Sequence, residues 1–180
     1  MGNDFIGSIF SHSGREAYVM NKILIKSVSF ILVTFYAFNV SVVSAQQVKI
    51  NTEATDFTLE DLEGNKVALK DFKGRPLLLF FWATWCPHCQ RITPQLIELK
   101  QKFSDKDFEI LAIDFKEDKD KLKRFAQKQK INYKILLDKQ GEVFGLYNIP
   151  GVPVVIVVDR KGIIQFIDAE LPQEPKELLE

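Results

Sequence analysis

Cysteine is scarce in this chain of 180 residues: there are two, Cys86 and Cys89, alongside two histidines and two methionines. A structural zinc site takes about four cysteine, histidine or carboxylate ligands at metal-site spacing. The chain does not offer that set, so no metal is expected. There is no His or Met cluster for a dedicated copper site either, and nothing calls for another cofactor. The 24 basic and 24 acidic residues cancel, and a nucleic-acid partner would want a basic stripe. Internal repeats and low-complexity blocks are also missing. What is abundant is apolar material, 46% of the chain with fifteen Phe, which is ample for a packed core. The length fits one domain plus an extension.

The extension is N-terminal. Asn21-Lys22-Ile23-Leu24-Ile25-Lys26 supplies positive charge, residues 28–43 are mostly apolar and uncharged, and Val43-Ser44-Ala45 places small residues before Gln46-Gln47. That is the layout of a secretory signal. Met20, just ahead of the basic stretch, is read as the true start. The competing reading is an uncleaved membrane anchor through residues 22–45. Its stretch 27–45 is near the lower length limit for spanning and is weakened by Asn39 and several serines. No cysteine lies near the cleavage site, which argues against a lipoprotein. Both readings give a leader over 1–45 and a domain over 46–180, located in the periplasm or another extracytoplasmic space. In that domain His88 is the single histidine. No cysteine is left for a structural disulfide, so the pair is functional rather than a staple.

Within the domain, period-2 runs at Phe57-Thr58-Leu59 and Val67-Ala68-Leu69 flank Glu63-Gly64-Asn65 and predict a β-hairpin. Residues 77–83 are continuously apolar, as in a strand buried on both faces. Ile92, Leu96, Leu99 and Phe103 predict a helix over 87–103, kinked at Pro94. A strand at 108–115, a charged amphipathic helix at 119–130, a strand at 133–137 and a helical turn at 143–147 follow. Strands at 154–158 and 163–167 close the domain as a hairpin across Asp159-Arg160-Lys161-Gly162. Residues 174–180 have the length of two helical turns. The expected fold class is α/β, a mixed central sheet flanked by helices. The stretch 116–130 is expected to be the solvated face of an inserted helix.

The most informative segment is Trp85-Cys86-Pro87-His88-Cys89, directly after Leu77-Leu78-Leu79-Phe80-Phe81-Trp82. At a helix start, residues i and i+3 share a face, so the two sulfurs can meet. The first sulfur would lie at the helix N-terminus, where the macrodipole and free N–H groups favour a thiolate. Pro87 suits the first turn, where its missing N–H costs nothing. Strand, sharp turn and Cys-x-x-Cys opening a helix together describe a thiol–disulfide redox centre. A lone peroxidatic thiol would look different.

Here the sequence resembles the thioredoxin superfamily and, within it, the exported TlpA/ResA-type thiol–disulfide oxidoreductases. The resemblance rests on Asp56-Phe57-Thr58-Leu59, Gly64, Leu69, Phe72-Lys73-Gly74, residues 81–89, Pro94, Asp138 and Gly141, Gly151-Val152-Pro153, and Asp159 with Gly162. It covers residues 54–167 and implies a thioredoxin fold with an N-terminal β-hairpin and an inserted helix. It also implies that Pro153 is cis beside Cys86, leaving the Val152 backbone to pair with an extended substrate by strand addition. Trp85 and Gly151 would complete that groove, while Trp82 belongs to the core. The catalytic groups would be Cys86 as attacking thiolate, Cys89 as resolving thiol, and Pro87 and His88 as tuning residues. Pro-His is also the dipeptide of the strong oxidant DsbA, and stabilising the reduced form makes a couple more oxidising.

Two departures stand out. Such proteins often carry a buried acid six residues before the first cysteine, where this chain has Phe80, and ResA-like reductases often carry a glutamate three residues after the second, where it has Ile92. Without an acid–base partner, deprotonation of Cys89 should be slow. Asp114, near a strand end, is a weak substitute whose plainer reading is a strand-end carboxylate. The resemblance implies a monomeric reductant of cysteine pairs in exported proteins, such as apocytochromes c, recharged by a membrane thiol transporter. An oxidant of DsbA-like chemistry is the alternative, and a metallochaperone or redox-inert binding module a minor one.

Overall fold

The computed structural model describes residues 48–103 and 108–173. The leader, Met20, the anchor alternative and the helix expected over 174–180 lie outside the described residues.

The β-hairpin forms from β1 (Thr58–Asp61) and β2 (Lys66–Ala68). Asp61 closes its turn: its Oδ1 accepts the N–H groups of Glu63 and Asn65 at 2.9 and 2.8 Å. A 3-10 turn over Leu69–Phe72 leads to β3 (Leu77–Trp82), which is buried at all six positions, as its unbroken apolar run requires. Helix α1 (Pro87–Lys102) follows, then β4 (Glu109–Phe115), α2 (Lys119–Gln129), β5 (Lys134–Asp138), the short α3 (Glu142–Leu146), β6 (Val154–Val158) and β7 (Ile164–Asp168). Helix α1 continues through Pro94. Helix α2 starts on Asp118, whose side chain accepts from the N–H groups of Asp120 and Lys121.

The strands make one mixed sheet in the order β2-β1-β5-β4-β3-β6-β7. β3, β4 and β5 run parallel, and β1, β6 and β7 join antiparallel. The hairpin therefore attaches to the β5 edge of the sheet, a placement that sequence periodicity does not specify.

Alternation along β3 divides the core in two. Leu78, Phe80 and Trp82 face Cys89, Ile92 and Leu96 of α1 and Leu122 of α2. Leu77, Leu79 and Phe81 face Phe57, Phe144 and Tyr147 on the other side. The charged helix α2 seats itself through its few apolar groups, with the Phe125 ring 5.4 Å from that of Trp82.

Candidate active site

β3 ends at Trp82, and a tight turn carries the chain from Ala83 to Cys86, whose N–H donates to the Ala83 carbonyl at 3.2 Å. Cys86 is the N-cap of α1, with extended backbone angles, and Pro87 occupies the first turn. The Cys86 sulfur accepts the N–H of Cys89 at 3.2 Å, serving one of the free donors at the helix start. In the dithiol form its S–H also donates to the Val152 carbonyl at 3.7 Å, which brings the loop before β6 onto the nucleophile side. The Val152–Pro153 peptide is cis.

Cys89, one helical turn on, is fully buried. Burial pushes its thiol up to about 12, the neighbouring Cys86 thiol adds to that rise, and the Ala83 backbone N–H opposes it. Phe80 and Ile92, six residues before Cys86 and three after Cys89, are core residues at 0% and 1% exposure. Around the pair, Trp85 is 59% exposed and Trp82 is buried. Pro87 and Gly151 are exposed, Val152 is half-buried and Pro153 is buried.

His88 faces outward, and its Nε2 lies 2.6 Å from Glu170 Oε1, on the segment after β7. Glu170 was not legible in the sequence: nothing local links a residue past the last strand to the first turn of α1.

A second group also escaped. Glu117 precedes α2, and its side chain is 5% exposed rather than solvated. The Thr84 N–H donates to Glu117 Oε2 at 2.5 Å and the Thr84 hydroxyl to Oε1 at 2.6 Å. Lys121 Nζ donates to the same Oε1 at 2.5 Å. The expectation of a solvated face over 116–130 is therefore corrected at Glu117: the β3–β4 pairing carries this carboxylate onto the turn before Cys86, where Thr84 and Lys121 compensate its burial.

Asp114 lies behind it at the end of β4, beside Trp82 in the parallel register. Its Oδ2 accepts the Glu117 N–H at 2.8 Å, while its Oδ1 is buried without a hydrogen-bond partner among the described residues. Burial, followed by the facing Glu117 carboxylate, pushes the Asp114 carboxyl up to about 8, against the pull of the Glu117 N–H. Burial pushes Glu117 up as well, but hydrogen bonds from Lys121 and Thr84 outweigh it and hold that carboxyl below its ordinary range.

A cavity of about 410 Å³ is lined by Ala54, Leu69, Arg75, Leu77 and Val158. It opens at the start of β3, the opposite end of that strand from the cysteines.

Comparison with known proteins agrees with this geometry. The AhpC/TSA family matches residues 50–167. The chain is 36% identical over 133 residues to the thiol-disulfide oxidoreductase ResA of Bacillus thuringiensis subsp. konkukian, covering 73% of this chain and 77% of that protein. Among solved structures, the thioredoxin domain of a thiol-disulfide oxidoreductase from Bacteroides vulgatus is similar with a TM-score of 0.64 and 30% identity, over 69% of this chain and 91% of that one. A putative thiol:disulfide interchange protein DsbE from Chlorobium tepidum is similar with a TM-score of 0.66 and 25% identity, over 73% and 94% of the two chains.

Proposed function

This chain belongs to the AhpC/TSA family, as a thioredoxin-like thiol–disulfide oxidoreductase, and from that premise we propose that it reduces cysteine pairs of exported proteins through Cys86 and Cys89. The observation that carries the direction is the buried Cys89 thiol, pushed up to about 12. A couple becomes oxidising when its reduced form is stabilised as a thiolate, and this environment works against that at the resolving cysteine.

The cycle begins with the dithiol. The Cys86 thiolate attacks one sulfur of a substrate disulfide. The substrate S–S bond breaks, a Cys86–substrate disulfide forms, and the departing substrate sulfur takes a proton. Cys89, after losing its proton, attacks the Cys86 sulfur and releases the second substrate thiol. The substrate has gained two electrons and two protons, and the protein holds a Cys86–Cys89 disulfide. A membrane dithiol donor is the partner that would restore it. Trp85, Gly151, Val152 and Pro153 border the groove in which an extended substrate would lie, its backbone pairing with that of Val152. Apocytochromes c fit the substrate class, and an extracytoplasmic location fits the leader expected over residues 1–45. Among the described residues no helix is long and apolar enough to cross a membrane.

Pro87-His88 favours the opposite direction, a disulfide donor. Equilibration in glutathione buffers, followed by Trp fluorescence, separates the two readings. A reduction potential below about −220 mV supports the reductant, and one above about −160 mV assigns the protein as an oxidant.

A further inference from the structure

The carboxyl pair Asp114–Glu117 takes no part in the exchange steps above, yet it is bonded to the turn that presents Cys86. Every polar group of Thr84 is engaged. Its N–H and hydroxyl go to Glu117, and its carbonyl accepts from Gln90 Nε2 on α1 at 2.7 Å. Glu117 thereby ties the connection after β4 to the segment between β3 and Cys86. Its N–H in turn is held by Asp114, whose second oxygen is buried with no hydrogen-bond partner among the described residues. A merely structural clamp would need one carboxylate, and here two face each other.

We propose that Glu117 is a positioning residue for the redox centre and that the Asp114–Glu117 pair, carrying one proton and one negative charge, biases the Cys86–Cys89 couple toward reducing power. The inference rests on Cys86–Cys89 being the working couple. A buried negative charge beside the turn opposes a thiolate at the helix start, which destabilises the reduced form. The proton resides on Asp114, consistent with its raised carboxyl, and Glu117 keeps the charge that Thr84 and Lys121 bind. Facing Asp114 are Glu117 on its own connection and Lys121 on α2, with Trp82 of β3 beside it. On β5 its register partner is the neutral Leu137, and Asp138 is committed to α3 on the opposite face.

The test equilibrates the full chain with glutathione as wild type, Glu117→Gln and Asp114→Asn, and follows Cys86 alkylation against pH. A glutamine keeps both contacts to Thr84, accepting from the N–H and donating to the hydroxyl, but loses the charge. Glu117→Gln should shift the thiol–disulfide constant about tenfold toward the dithiol, about 30 mV more oxidising, and move the alkylation profile to lower pH. Asp114→Asn mimics the protonated acid. It should match wild type at pH 7 and lack the extra loss of Cys86 reactivity that wild type shows as Asp114 ionises near pH 8. Constants for Glu117→Gln and wild type that agree within about twofold, with Glu117→Gln folded by circular dichroism, overturn the proposal. Should Glu117→Gln not fold, superimposable alkylation profiles of Asp114→Asn and wild type overturn it alone. A wild-type protein that forms no Cys86–Cys89 disulfide would instead overturn the functional reading itself, and this inference with it.

Discussion

Asp114 and Asp138 end neighbouring parallel strands, and each is 1% exposed, but the sheet sends them to opposite faces. Asp138 meets the start of α3, where its carboxylate accepts the N–H groups of Glu142, Val143 and Phe144 at 2.9, 3.0 and 2.9 Å. Those donors would otherwise be free at a helix start. Asp114 meets the face that holds the cysteines, receives one N–H, and looks at another carboxylate. One strand-end aspartate is a helix cap and the other is pushed toward its neutral form. Equal burial does not decide a carboxyl's state; the donors that come with the burial do. Cys89 shares the donor-poor face, and its thiol is disfavoured as an anion for the same reason.

The largest effect expected from this contrast is at Cys89. In Cys86→Ser, iodoacetamide should modify Cys89 about a hundredfold more slowly than an ordinary thiol at pH 8, because burial, the main cause of its raised value, remains when the Cys86 thiol is removed. A rate near that of free cysteine would erase the difference between the faces. Next is the cap. Asp138→Ala should cost about 3 kcal/mol in urea unfolding at pH 7, since it orphans three N–H groups at a buried helix start. A loss below about 1 kcal/mol would mean that water replaces the carboxylate easily.

A smaller effect follows from the titration of Asp114. Its carboxyl is raised from 3.8 to about 8, so folding takes up a proton between those values. The stabilisation is fully present below about pH 4 and is lost as pH rises to about 8. Between pH 5 and 6.5, Asp114→Asn should therefore gain on wild type by something on the order of 2 kcal/mol in unfolding free energy. Parallel stability curves would mean that burial leaves the Asp114 carboxyl unraised. The smallest effect is at the rim. Glu170 is 64% exposed, and Glu170→Gln should change stability by less than about 0.5 kcal/mol.

Most of the strand and helix pattern was legible because it is local. The run 77–82 could only be a doubly buried strand, and Pro87 between the cysteines marked the helix start. The edges of elements moved by a residue or so, where hydrogen bonding rather than side-chain period sets the end. The site was half legible. Cys86, Cys89, Trp85 and Val152-Pro153 carried local signals. Glu117 did not, because a carboxylate in a Lys/Glu-rich stretch has the pattern of a solvated face whether or not the strand before it delivers it to a buried turn. Asp114 was visible only as a strand-end acid, and the burial of its second oxygen depends on Trp82 arriving beside it from β3.

Sequence alone thus determined the chemistry: two sulfurs one helical turn apart, at the N-terminus of a helix fed by a buried strand. Their reach is set by helix geometry and needs no distant residue. Only the tertiary structure decided the electrical setting of those sulfurs. Parallel pairing of β3 with β4 puts Asp114 beside Trp82 and Glu117 on Thr84, and the segment after β7 brings Glu170 to His88. The charge a buried group carries depends on every neighbour within a few ångströms, and which residues become neighbours is a property of the fold.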